Sequence, residues 1–205
     1  MSRRTGLPSM TRGLVASGLL VAVTALTGAL VYQSAPSPVR LAGAVLRGGG
    51  DHGGRAAADD GGLPDGVTVF ADEYPGVANL APDLIAALRA AAAEAGDEGI
   101  EFHVNSGWRS REYQDRLLRA AVAKYGSAER AARWVATADT SAHVSGDAVD
   151  LGSDAAAWLS AHGAAYGLCQ IYRNEPWHYE LRPEAVEHGC PAMYADPAHD
   201  QRMRR

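Results

Sequence analysis

The chain has 205 residues and a formal net charge of −5; 47% of its residues are apolar and 21% charged. That apolar fraction rules out disorder throughout, and the length is that of one domain with appendages. Residues 1–35 hold Arg3, Arg4 and Arg12 and no acid, so the remainder carries 16 basic against 24 acidic side chains, net −8, and offers no electrostatic footprint for DNA or RNA.

The basic segment 1–12 precedes an uncharged run of 19 residues, Gly13 to Val31. A basic flank before a run just long enough to span a bilayer reads as a transmembrane anchor or a signal segment. In both cases the rest of the chain is expected outside the cytoplasm, anchored to the membrane or secreted. Residues 32–62 turn to Pro, Gly, Ala, Arg and Asp (GGGDHGGRAAADDGG), which buries no core and reads as a flexible linker. The folded domain is expected over 63–190, with a polar and loosely held tail over 191–205.

Within that domain, Pro82 to Ala95 predicts a helix with Pro and Asp in its first turn and Gly96 at its end. Leu84, Ile85, Leu88, Ala91, Ala92 and Ala95 form its apolar stripe. Ile100 to Asn105 alternates apolar and polar residues as a half-buried strand does, and the turn Ser106-Gly-Trp-Arg-Ser110 follows. Ser110 caps a helix to Lys124 with Tyr113, Leu117, Leu118, Ala121 and Val122 on its buried side, and a shorter helix covers Ala128 to Val135. Asp147–Leu151 reads as a strand, Asp154–His162 as a helix, and Leu168–Tyr172 and Trp177–Leu181 as two strands close enough for a hairpin. The class is α+β, a mainly antiparallel sheet flanked by helices and preceded by one N-terminal hydrophobic helix.

Chemistry concentrates in three stretches: SAHVSGDAVD (141–150), NEPWHYE (174–180) and the turn around Arg109. Two imidazoles and a carboxylate, His143, Asp150 and His178, are a donor set that suits zinc with a fourth position left for water. Strand alternation points Asp150 to one face and its neighbours Val149 and Leu151 to the other, and it treats His178 between Trp177 and Tyr179 the same way. A lone histidine is most often a hydrogen-bonded or surface residue, and the spacing of seven residues from His143 to Asp150 forces nothing by itself. The catalytic carboxylate is left open between Glu175 and Glu180, which flank His178.

The stretches together resemble the zinc D-alanyl-D-alanine carboxypeptidases of the VanY and VanX type. The S-x-H element is filled by Ser141 and His143, G-x-A-x-D by Gly146, Ala148 and Asp150, and E-x-W-H by Glu175, Trp177 and His178. The turn at 106–110 looks like the family's S-G-[YF]-R segment, with Arg109 in the arginine position and Trp108 at the aromatic one. The resemblance implies the small α+β zinc-peptidase fold shared with hedgehog-type domains, Zn2+ on His143, Asp150 and His178, and Glu175 as the base. Glu180 then orients a histidine's other ring nitrogen. Arg109 stabilises the oxyanion or binds the substrate carbonyl, and Ser141 and Trp177 support substrate or line the pocket. The implied substrate is a peptidoglycan stem peptide ending in D-Ala-D-Ala, with an L,D-carboxypeptidase, a wall endopeptidase or a non-catalytic wall-binding domain with structural zinc as alternatives. A monomer is expected, with the cytoplasmic membrane as a partner through the N-terminal segment.

Cys169 and Cys190 are the only cysteines, and in an extracytoplasmic chain they are expected to form a disulfide. It would close a loop containing Glu175 and His178 and contribute on the order of 3 kcal/mol in the chain-entropy view.

Overall fold

The computed structural model describes residues 58–204, so the hydrophobic run at 13–31 and most of the linker expectation lie outside the described residues. Among the described residues no helix is long and apolar enough to cross a membrane. In chain order the elements are α1 (Pro75–Ala78), α2 (Pro82–Asp97), β1 (Val104–Ser106), α3 (Arg111–Tyr125), α4 (Ala128–Ala131) and α5 (Ala142–Ser145). They continue with β2 (Ala148–Leu151), α6 (Ser153–His162), a 3-10 turn (Gly163–Tyr166), β3 (Leu168–Gln170), β4 (His178–Leu181), α7 (Ala185–His188) and two short 3-10 turns between Pro197 and Arg204. The strands form one antiparallel sheet in the order β1-β2-β4-β3. The α+β class expected from the sequence is the observed one, with β3 and β4 as the hairpin.

Register decides what the sheet can do. Ala148 pairs with Glu180, Val149 with Tyr179 and Asp150 with His178 across β2 and β4. Period-two alternation therefore turns Asp150, His178 and Glu180 to one face and Val149, Leu151, Tyr179 and Leu181 to the other. In β1 the register shifts between Val104, opposite Leu151, and Ser106, opposite Asp150. That irregularity puts Val104 on the apolar face and Ser106 beside Asp150. The apolar face is covered by α2 through Leu84, Leu88, Ala91, Ala92 and Ala95 and by α6 through Ala155, Trp158 and Leu159. The stripe expected for α2 is thus buried, with Ile85 at its partly covered edge.

Several boundaries differ from expectation for identifiable reasons. Residues 58–62 are not free linker: Asp60 accepts hydrogen bonds from Ser110 Oγ at 2.9 Å and Arg116 at 2.6 Å, anchoring the entry to α3. The helix expected to Val135 ends at Ala131, and Trp134 beyond it stacks on Tyr125 with ring centroids 6.0 Å apart. In α3 the buried side chains are Gln114 and Ala121, while Tyr113 and Leu117 line a cavity. The tail over 191–204 is not loosely held. Tyr194 exchanges backbone hydrogen bonds with Ile171 and Arg173, each 3.0 Å long, and Asp196 and Asp200 are buried. Its polar composition concealed ion pairs with residues far away in sequence.

Candidate active site

The site lies at the open end of the β1-β2-β4 face. Asp150 and His178 arrive directly opposite each other by register, with His178 Nδ1 3.1 Å from Asp150 Oδ1. His143 comes from the one-turn helix α5, which ends at Gly146 in the left-handed conformation (φ 82°). A Cβ there would lie 2.6 Å from Asn79 O, so only glycine lets α5 close against the chain before α2. His143 Nε2 then stands 3.4 Å from the same Asp150 oxygen, and one donor atom from each of the three residues falls within 4.8 Å of the others.

The outer ring nitrogens are both occupied. His143 Nδ1–H donates to Gly107 O at 2.8 Å, and His178 Nε2–H donates to Glu180 Oε1 at 3.2 Å. Gly107 has no room for a side chain, since a Cβ would meet Gly76 O at 2.0 Å, and this tight turn is what aims its carbonyl. With the outer nitrogens donating, a metal cation that takes the place of the proton between the inner nitrogens and Asp150 would meet two imidazole lone pairs and a carboxylate. The site fits zinc on the chemistry of its donors: two imidazole nitrogens and one oxygen, all buried.

Arg109 sits behind Asp150. Its Nη2 donates to Asp150 Oδ2 at 2.9 Å, its Nε to Ser106 Oγ at 2.8 Å and its Nη1 to Gln114 Oε1 at 3.1 Å. Gln114 is pinned in turn by donating to Ala136 O at 2.8 Å. A guanidinium has five N–H donors, so two remain for a ligand. Glu175 stands at the bend before β4, with Oε2 3.9 Å from His178 Nδ1. Ser141 and Trp177 line the same cavity of ≈ 530 Å³, which continues along α3 past Leu117 to Tyr125 and Trp134.

Proton affinities separate the two glutamates. Burial pushes the Glu175 carboxyl up to about 8, only partly offset by the His178 charge. Burial would also raise Glu180, but hydrogen bonds from His178 and Arg202 outweigh it and hold that carboxyl well below the usual range. Burial and the Arg109 charge lower His143, favouring the neutral imidazole. Asp150 is held well below the usual carboxylate range, because His143, His178 and Arg109 overcome the cost of its burial. For His178 burial favours the neutral ring, yet the bonds to Asp150 and Glu180 carry it up to about 10. A negative field that grips a proton so firmly also grips a metal cation.

The structure brings His143, Asp150, His178, Glu175, Arg109, Ser141 and Trp177 together around one cavity, with Glu180 one layer behind. Cys169 and Cys190 are bonded to each other, and the bridge ties β3 to the segment after α7. Sequence reasoning missed Gln114, Tyr172, Asp200 and Arg202. Gln114 left a faint signal as a polar residue on the buried side of a helix; the other three left none.

Residues 77–184, more than half of the chain, match the family of D-alanyl-D-alanine carboxypeptidases called VanY, and the chain belongs to that family. It is therefore a member of a family of peptidases that hydrolyse a peptide's terminal bond. Solved structures similar to it include a mutant of the vancomycin-resistance D,D-pentapeptidase VanY from a VanB-type cassette in complex with Zn(II), 26% identical over 54% of this chain and 75% of that one, with a TM-score of 0.49. Another is VanYB in complex with D-alanine-D-alanine, 25% identical over 54% and 74% with a TM-score of 0.49. The L,D-carboxypeptidase DacB from Streptococcus pneumoniae is 30% identical over 54% and 71%, with a TM-score of 0.45. No curated protein matches the chain significantly.

Proposed function

We propose that the protein is a zinc-dependent D-alanyl-D-alanine carboxypeptidase that removes the terminal D-alanine from peptidoglycan stem peptides outside the cytoplasmic membrane. The observation that carries this reading is the pair of outward hydrogen bonds from His143 to Gly107 O and from His178 to Glu180, which leave both inner nitrogens facing Asp150. His143, Asp150 and His178 would hold the ion, which when bound supplies Lewis-acid polarisation of the scissile carbonyl and a more acidic water.

The protein's own groups do the rest. Glu175 takes a proton from the attacking water at its carboxylate and hands it to the departing amine. Burial, which raises the proton affinity of this carboxyl, suits it to hold that proton between the two transfers. Glu180 is a poor base, because its carboxylate is already committed to His178, Arg182 and Arg202. Arg109, anchored on three sides, offers its remaining donors to the substrate carbonyl as negative charge develops there. The basic, apolar N-terminal segment and the Cys169–Cys190 bridge support an anchored or secreted protein in an oxidising compartment.

Mass spectrometry of a muramyl pentapeptide, incubated with the zinc-loaded full chain with and without chelator, tests the proposal. Metal-dependent loss of one terminal alanine is the expected result. Cleavage of a tetrapeptide instead would assign L,D-carboxypeptidase activity, cleavage of a cross-linked stem an endopeptidase, and no cleavage of any of them a wall-binding domain.

A further inference from the structure

The family match ends at residue 184, yet a circuit of contacts runs from the site into the last residues of the chain. Glu180, only 1% exposed, accepts from His178 Nε2 through Oε1. Arg202 grips the same carboxylate with both terminal nitrogens, Nη1 to Oε2 at 2.7 Å and Nη2 to Oε1 at 3.2 Å. Arg202 is held in turn by Asp200, whose two oxygens accept from its Nε at 3.0 and 2.9 Å. Asp200 is fully buried and also accepts from the Tyr172 hydroxyl at 3.0 Å. The Tyr172 ring packs on His178, with centroids 4.9 Å apart, and closes the circuit. Arg182 also reaches Glu180, but through Oε2 alone. Of these two arginines, Arg202 is the one that shares Oε1 with the imidazole.

Resting on the metal reading above, we propose that the C-terminal segment belongs to the site and that Arg202 is a positioning residue for His178. A carboxylate bonded at one point can swing about its side-chain torsions, whereas a two-point fork from a planar guanidinium fixes its plane. With the plane of Glu180 fixed, Oε1 stays on His178 Nε2–H and the ring keeps Nδ1 turned toward Asp150. Arg202 touches no reacting atom; it acts through Glu180. A further ion pair of the tail, Arg133 Nε to Asp196 at 2.9 Å, contacts neither Glu180 nor His178 and provides the internal control.

The test is zinc affinity of the full chain, by competition with a chromophoric chelator, together with the absorption spectrum of the Co(II)-substituted protein. Arg202→Ala is expected to weaken zinc binding about 10- to 100-fold, the range for partners that orient a ligand, and to shift the cobalt bands. Arg202→Lys keeps the charge but cannot form the fork, and its affinity should fall between Ala and wild type. Arg133→Ala should bind zinc as wild type does. Wild-type affinity and spectrum in Arg202→Ala would overturn the inference, as would an equal loss in Arg133→Ala. If Arg202→Ala does not fold, an unchanged affinity in Arg202→Lys overturns it in the same way. A wild-type chain that binds no zinc defeats the metal reading and this inference with it, whereas normal wild-type binding with unaffected variants defeats this inference alone.

Discussion

The two faces of the sheet come from the same few strand residues and are buried to the same degree: Val149 and Leu151 on one, Asp150 and His178 on the other, all 4% exposed or less. On the apolar face, burial is itself the driving force, at about 25 cal/mol per Å² of apolar surface removed from water. On the site face, burial opposes stability and is offset only by pairing. Asp150 meets Arg109, His143 and His178, and Glu180 meets His178, Arg182 and Arg202. The difference teaches that low exposure in this fold has two causes with opposite responses to mutation. A changed contact on the apolar face costs stability in proportion to volume, whereas a changed contact on the site face strands a charge or misaims a ligand.

The sharpest way to separate the faces is Glu175→Gln. It removes the base and keeps the shape, so turnover on the stem peptide should fall about 10²- to 10⁴-fold while bound zinc, measured by elemental analysis, stays at wild-type level. Stability should hold or rise slightly, because burial that pushes the carboxyl up to about 8 makes folding at neutral pH take up a proton that the unfolded chain does not hold, a cost the amide avoids. Retained activity would remove Glu175 from the mechanism. The complementary variant is Leu88→Ala, at a fully buried position of α2. Urea unfolding should show a loss of about 2–5 kcal/mol, with zinc affinity unchanged. A parallel loss of zinc affinity would mean that the faces are mechanically coupled and the contrast is false.

The smallest expected effect is on pH. Burial would raise Asp196 and Asp200, but His199 and Arg133 for the first and Arg202 for the second outweigh it, and both carboxyls are lowered from the ordinary 3.8. A lowered folded-state value contributes stability that is fully present above 3.8 and lost as the pH falls through the lower value. The protection factors of residues 194–204, exchange rates corrected for their intrinsic pH dependence, should therefore be constant from about pH 5 to pH 8 and fall below about pH 4. Val149, Leu151 and Tyr179 should keep their protection at the onset of that change. Simultaneous loss on both faces would show that the tail and the apolar core form one cooperative unit.

Much of the site was legible because strand alternation writes both faces into one short stretch. AVDL at 148–151 and HYEL at 178–181 each assign their residues to faces without reference to anything else in the chain. The helix at α2 was equally legible, since a stripe of apolar residues at helical spacing is a local property. The docked tail was not legible. Asp196, Asp200 and Arg202 look like solvated polar residues until Arg133, Glu180 and Tyr172 are placed against them. Gln114 was hidden for the same reason: its partners Arg109 and Ala136 lie on either side of a helix whose orientation only packing sets.

The sequence by itself determined the donor set and the phase of the two strands that carry Asp150 and His178, because these follow from local periodicity and residue chemistry. The one-turn helix under His143 and the strand bounds at Val104–Ser106 were not written in it. The tertiary structure alone decided that Asp150 stands opposite His178, that β1 shifts register to bring in Ser106, and that Arg202 closes on Glu180. Periodicity fixes which way a side chain points within its own strand, but a one-residue slip in pairing would carry it past its partner at no local cost. Only the simultaneous burial of the apolar face and neutralisation of the charged one selects the register that makes the site.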